Sequence, residues 1–491
     1  MLEYLKEEQN KTTTTNGCGA YNSTNSKVLD LFSSAGAMRN RYDDYIKTKF
    51  SLAYNEDPLL ALKCLFFARD IREGLGERRV FRLSIDWLVA NAPDVVKKNF
   101  SNFAEFGRFD DLIRLVDSEI GVDVVHYISD ILYNDIQCLV DNKNPSLLAK
   151  WMPSENTSSK SSRELARKII KIIGVTPKAY RKTIAKLRQK IGIIENNLRE
   201  RDYTFDYSKQ PSKAMMKYRS AFIRNDYERY KKYLDDVAKG KVKINTSTLC
   251  PVDVVTKCYD ENLCADSTSV KALDVTWKNL VDDTTDEDAI VVVDGSGSMY
   301  SYQKPVPAYV AQALGLYFAE RNKGRFKNHF ITFSSSPKLV EVPSSLNIVE
   351  KVKYISKFND CSNTNIEKTF DLILDVAVKN NLPQNEIPKR MYIISDMQFD
   401  RVFNFWGTSL YETAFSNAKN KFKNAGYEIP EVVFWNVNDY GNVPVTMNEE
   451  GVALVSGYSS KIFGMVTTNN LNPYQLMLDI LNSERYNKIV N

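Results

Sequence analysis

The sequence predicts a multidomain chain in which an N-terminal α-solenoid of HEAT-like helix pairs precedes a doubly wound, Rossmann-like α/β unit. Three observations predict it. From residue 28 onward, apolar residues recur at helical spacing for about two hundred residues, with only short breaks. From about 285 the pattern changes to β-branched apolar runs alternating with helical stretches. With 491 residues the chain is also too long for one core.

Residues 1–27, rich in Thr, Asn, Ser and Gly, read as a flexible lead-in. The helical region is set at 28–284. Its clearest opening is DPLLALKCLFFARDIR (57–72), where Asp57 stands as N-cap, Pro58 takes the first helical position and Gly74 and Gly76 end the run. A second helix is expected at 77–93, and further ones at 94–105, 109–117, 121–141, 161–174, 177–199 and 214–238. In the region 285–491, strands are expected at 288–297, 328–335, 390–397, 431–438 and 452–457. Helices are expected at 305–322, 366–378, 408–424 and 473–487. In such a sheet the ligand site lies at the carboxyl ends of the strands.

Composition excludes several classes. No apolar run is long enough for a membrane helix, and the start lacks the basic and apolar regions of a secretory signal. Seven cysteines scattered singly fit reduced thiols, so a cytoplasmic protein is expected, and a monomer is expected besides. Cys250, Cys258 and Cys264 match no zinc-ligand spacing. With only two histidines, His126 and His329, histidine-dependent catalysis is disfavoured, and GLGERR (74–79) is not a phosphate-binding P-loop. A non-enzymatic role is therefore expected.

The net charge of +5 hides an asymmetry. Residues 151–250 carry 24 Lys and Arg against 10 Asp and Glu, so the rest of the chain is negative. A block of this kind either meets a polyanion or is a solvated helical face. Within KAYRKTIAKLRQKIGIIE (178–195), Ile184, Leu187, Ile191 and Ile194 form an apolar stripe. Arg181, Lys182, Lys186, Arg188 and Lys190 fall on the other faces, a ridge suited to phosphate contacts, with Arg167 and Lys168 upstream.

The clearest constellation is Asp294-Gly-Ser296-Gly-Ser298, directly after the first buried strand. Two hydroxyls beside a carboxylate offer oxygen ligands to a hard cation such as Mg²⁺, with Mn²⁺ or Ca²⁺ as other candidates. Thr364, just ahead of a helix, and Asp396, just after a strand, complete a set on three successive elements. The D-x-S-x-S, Thr, Asp order resembles the metal site of von Willebrand factor A domains. The departures are Cys361-Ser-Asn-Thr364, where a glycine pair is commoner, and Met397, where glycine is commoner. The resemblance implies an ion completed by a carboxylate from a protein partner, and binding rather than catalysis.

A helical region followed by such a domain resembles the TROVE architecture of the Ro autoantigen, a ring that binds RNA. EDPLLALKCLFFARDIREGLGERRVF (56–81) and EFGRFDDLIRL (105–115) are similar to that family's helix junctions. The resemblance is strongest to the family of domain of unknown function 2828, through LAKWMPSEN (148–156), the YRK-x₃-LR stretch (180–188), QPSKAM (210–215) and ISDMQFD (394–400). The resemblance implies a helical ring binding small structured or misfolded RNA. For Arg72, Arg78 and Arg79, inter-helix salt bridges and RNA contact stand as alternatives. Asp110 and Asp111 are read as helix caps. Trp151 and the tyrosines either stack on bases or pack in the core. The competing reading is a scaffold that grips a partner's carboxylate through the metal, without RNA.

Overall fold

The computed structural model describes residues 1–260, 266–301, 303–359, 365–400, 413–466 and 471–491. Helices start where the sequence supplies caps. The Asp57 carboxylate accepts from the Leu60 amide at 2.9 Å, and the helix Pro58–Arg69 follows. Ser159 and Thr176 cap the helices Lys160–Ile173 and Pro177–Ile191 in the same way, and Gly174 and Gly192 end them at φ 76° and 69°.

Three expected helices are each two. The stretch expected at 94–105 breaks at Asn99, whose amide reaches the carbonyls of Val95 and Val490 and ties this junction to the C-terminal segment. The stretch 177–199 breaks at Gly192, giving a second helix Ile194–Glu200. The stretch 214–238 breaks at Asp226, which accepts from the Tyr207 hydroxyl at 2.7 Å between helices Ser212–Asn225 and Tyr227–Ala238. Among the described residues the α-helices run from four residues at Leu148–Trp151 to twenty at Gly121–Val140.

The segment 1–27, expected to be flexible, is instead structured. It holds a helix Leu2–Asn10, the strands β1 (Lys11–Thr13) and β2 (Gly19–Tyr21), and a cap at Ser26. Its polar residues are used as glue. The Thr14 hydroxyl donates to the Phe399 carbonyl at 2.6 Å, the Thr15 amide to Gln398 Oε1, and Tyr21 bridges to Val443. A Thr- and Asn-rich composition suits a segment that satisfies backbone groups across the chain.

The α/β half is built on β3 (Ala289–Asp294), β4 (His329–Phe333), β5 (Leu339–Glu341), β6 (Arg390–Ser395), β7 (Glu431–Asn436) and β8 (Val452–Ser456). Their order is β5-β4-β3-β6-β7-β8, parallel except for the antiparallel edge strand β5. The chain leaves β3 to one side for β4 and later crosses to the other side for β6, so the topological switch lies between β3 and β6. Alternate residues of β3 enter different cores. Val291 and Val293 join Tyr317, Phe463 and Trp435, whereas Ile290 and Val292 join Phe370 and Phe422. Burial on both faces explains the unbroken apolar run AIVVV.

The first of these cores continues into the helical half through Trp277, Leu273, Phe67 and Tyr486. Helix Pro307–Arg321 covers β3 closely at Gly315, where a Cβ would come within 2.2 Å of Val293 Cγ2. The edge strand β5 and the helices Pro251–Asp260, Ser267–Lys278 and Ile348–Ile355 were not expected. The last of these carried a readable signal, the capping box of Asn347 and Glu350. Among the described residues no helix is long and apolar enough to cross a membrane.

Candidate metal centre and basic surface

Asp294 ends β3, and Asp396 directly follows Ser395, the last residue of the neighbouring β6, so both carboxylates stand at the carboxyl edge beside the switch point. Both are fully buried. Asp294 Oδ1 accepts from the Ser296 amide at 2.9 Å, and Oδ2 accepts from the Ser395 hydroxyl at 2.5 Å. The hydroxyls of Ser296 and Ser298 lie 3.1 Å apart. Asp396 Oδ1 accepts from the Gln398 amide at 3.1 Å. Its Oδ2 is buried and has no hydrogen-bond partner.

Burial pushes both carboxyls above their usual range, and the charge of Asp396 pushes Asp294 further. Among the described residues neither carboxylate forms an ion pair with a Lys or Arg. Two buried carboxylates with an orphaned oxygen and two adjacent hydroxyls fit a hard cation, which would supply the missing charge and partner. No third acidic, histidine or cysteine side chain joins them among the described residues. Such an ion would therefore rest on carboxylate and hydroxyl oxygens.

The loop is tightly fitted. A Cβ on Gly295 would meet Asn359 Oδ1 at 3.0 Å and Asn359 Cα at 3.3 Å, so the segment leading to the second loop lies against the first. Thr364, the expected ligand of that second loop, lies outside the described residues, and Asn365 caps the helix Ile366–Lys379 that follows it. Met397 adopts φ 62°, the left-handed conformation that the commoner glycine takes without cost. Its amide donates to Ser395 Oγ, so that serine serves both the loop and Asp294. Ser395 is a site residue that the spacing argument missed, although its place at a strand end beside Asp396 was visible.

The expected RNA-contacting residues divide. Arg79 donates to the carbonyls of Arg39 and Arg41 at 2.7 Å and pairs with Asp43. Arg72 donates to the Glu105 carbonyl. Arg188 is half-buried and donates to the Ala149 and Met152 carbonyls and to Ser154. These contacts fit the inter-helix alternative for Arg72 and Arg79 and tie Arg188 to the neighbouring segment. Arg181 pairs with Glu155, Lys168 with Asp117 at 3.1 Å, and Arg78 lies 4.0 Å from Asp110. Arg167, Lys182 and Lys186 are exposed, with no hydrogen bond or ion pair among the described residues.

Asp110 and Asp111 do more than cap. Asp111 is buried between Arg69, at 2.6 Å, and Arg82, at 2.7 Å, and Asp110 accepts from Arg82 and Arg108. Trp151 is covered by the Arg108 guanidinium, 4.4 Å from the ring centre, which favours the packing reading over base stacking.

Comparison with known proteins places these features in a family context. The pattern of the domain of unknown function DUF2828 matches residues 14–120 and 119–290, and that of the domain of unknown function DUF7788 matches 288–473. An uncharacterized protein of Acanthamoeba polyphaga mimivirus is 31% identical over 507 residues, covering 95% of this chain and 86% of the relative. The Ro (RSR) protein of Deinococcus radiodurans aligns over 92% of both chains at a TM-score of 0.35 and 11% identity.

Proposed function

The chain belongs to the DUF2828 family, and from that premise we propose that it is a non-catalytic RNA-binding protein with a Mg²⁺-dependent docking site for an acidic protein ligand. In this reading the helices stack as a solenoid and expose a phosphate-binding face. The α/β half is a von Willebrand factor A-type domain. The observation that carries the RNA reading is the ridge on helix Pro177–Ile191. Lys178, Lys182 and Lys186 follow one another at four-residue intervals and are all exposed, with Arg167 and Lys171 exposed on the helix packed alongside. Residues four apart share a helix face, so these amines form one line of charge. Such a line suits phosphates and carries no base-specific geometry.

Asp294, Ser296, Ser298 and Asp396 would hold the ion, with Thr364 as the expected further ligand. A bound cation would supply an electrophilic site for a carboxylate oxygen from outside the chain. Ser395 fixes Asp294, and Gln398 fixes Asp396. Among the described residues no histidine and no third carboxylate joins Asp294 and Asp396 at this loop, which favours binding over catalysis. His329 opens β4, at the opposite end of the sheet from Asp294.

A second reading, a protein scaffold without RNA, is favoured by the orphaned Asp396 Oδ2, which speaks for the metal site alone. The two are separated by titrating labelled single-stranded and structured RNAs across salt, with and without EDTA. The RNA reading expects affinity that falls steeply with salt. Absence of binding at low salt would leave the scaffold reading.

A further inference from the structure

Between the helical half and the carboxyl edge of the sheet lies a cavity of about 800 Å³. Its wall comes from distant parts of the chain: the loop around 69–79, the segment 248–250, Lys304 after the metal loop and 458–461 after β8. That volume falls in the range of small-molecule sites, roughly 300–1,000 Å³.

Its charge is one-sided. Arg39, Arg69, Arg78, Arg79 and Arg108 line the helical side, and Lys213, Lys304 and Lys461 close the circle. Glu77 is the one carboxylate on the wall among the described residues. Part of this charge is answered from behind. Asp43, Asp110, Asp111 and Asp253 pair with wall residues, and Arg82 shares two of these acids. Nine cations thus face five carboxylates. Lys304 and Lys461 have no hydrogen bond or ion pair among the described residues.

Several of the other cations are held in place. Arg39 is clamped between Glu77, at 2.9 Å, and the Tyr458 ring, at 4.1 Å. Arg69 is locked on Asp111, and Lys213 on Asp253. Burial draws the Arg108 guanidinium below its usual value. Asp110 opposes that shift, and Arg69 and Arg78 add to it by like-charge repulsion. Crowding cations into a partly enclosed space is costly unless an anion occupies it.

We propose that this cavity binds a compact phosphate-bearing small molecule with at least two phosphate groups, such as a nucleoside diphosphate. The surplus of charge demands a multivalent anion, and fixed guanidinium forks suit phosphate oxygens. Ser459, Ser460 and Thr248 add hydroxyls, while Leu75 and Leu249 add apolar wall for a non-phosphate part. The inference is independent of the RNA ridge, because Lys182 and Lys186 do not line the cavity.

The test is calorimetric titration of the full chain with pyrophosphate, ADP and adenosine, with EDTA present so that the metal loop takes no part. Pyrophosphate and ADP are expected to bind at one site and adenosine to show no heat. The Lys304→Gln, Lys461→Gln double variant should weaken both phosphate ligands at least tenfold with the unfolding midpoint unchanged, since neither lysine holds another group. Lys182→Gln should leave both affinities as they are. No heat with pyrophosphate and ADP at millimolar concentration overturns the proposal. So does undiminished binding by the double variant, or binding confined to longer oligonucleotides. If the double variant were to unfold, Lys304→Gln alone provides the same reading with a smaller loss.

Discussion

The strand-end loop and the lysine ridge of helix Pro177–Ile191 hold their charge in opposite ways. Asp294 and Asp396 are buried at the ends of adjacent strands, and each oxygen but one has a named donor. Lys182 and Lys186 stand in solvent, with no hydrogen bond or ion pair among the described residues. The first arrangement suits one small ion in one geometry, because ligands from separate elements fix its position. The second suits a flexible polyanion, because mobile amines follow a phosphate backbone without demanding a register. A third set lies between them: Asp110 and Asp111 with Arg69, Arg82 and Arg108 form a partly buried network in which two carboxylates answer most of the charge of three guanidiniums.

That contrast can be broken at each point. The largest effect is expected at the closed network. Asp111→Ala leaves Arg69 buried and unpaired, and removing one partner of such a pair costs about 3–5 kcal/mol. Denaturant unfolding checks this, and a loss under about 1 kcal/mol would show that the network is dispensable. Next, Asp294→Ala should lower divalent-ion affinity by more than about 100-fold, since outer partners alone are worth roughly 10–100-fold. Titration with Mn²⁺ measures it. Ser395→Ala, which only orients Asp294, should cost about tenfold on the same reasoning. Equal losses in the two variants would contradict the assigned roles.

A further expected effect is one of pH. The metal-free native state holds protons on Asp294 and Asp396 more tightly than the unfolded chain does, because burial raises both carboxyls. The unfolded state then binds fewer protons, and the slope of unfolding free energy with pH is negative. Stability contributed by these groups is present at low pH. It declines as pH rises from the ordinary carboxyl value of 3.8 through about 7, the value to which Asp294 is pushed. Unfolding midpoints at several pH values in EDTA, repeated with Mg²⁺, should show that decline and its suppression by the ion. A midpoint that rises through that window in EDTA would contradict the burial argument.

How much of this was legible in the sequence depends on how local each cause is. Asp57-Pro58, Ser159 and Gly174 act within one turn, so the helix limits they set agree with expectation. The run AIVVV and the D-x-S-x-S loop also declare themselves locally, and they placed the metal candidates at a strand end. Breaks at Asn99 and Asp226 were not legible, since their partners, Val490 and Tyr207, are remote or lie on another element. Likewise Arg72, Arg79 and Arg188 look as basic as Lys182 in the sequence. Only folding brings the carbonyls of Glu105, Arg39 and Ala149 to them. The N-terminal segment misled for the same reason, because its polar side chains find their acceptors at Phe399 and beyond.

The most direct test of the central claim compares ridge and fold-holding cations in one assay. RNA affinity is measured against salt for the parent chain, for Lys182→Glu with Lys186→Glu, and for Arg188→Gln. Removing one lysine that neutralises a phosphate should reduce the salt slope by about 1. The account predicts a slope lower by about 2 in the lysine variant with unchanged stability, and a normal slope with reduced stability in Arg188→Gln. A lysine variant that binds RNA with the parent's affinity and slope would contradict it.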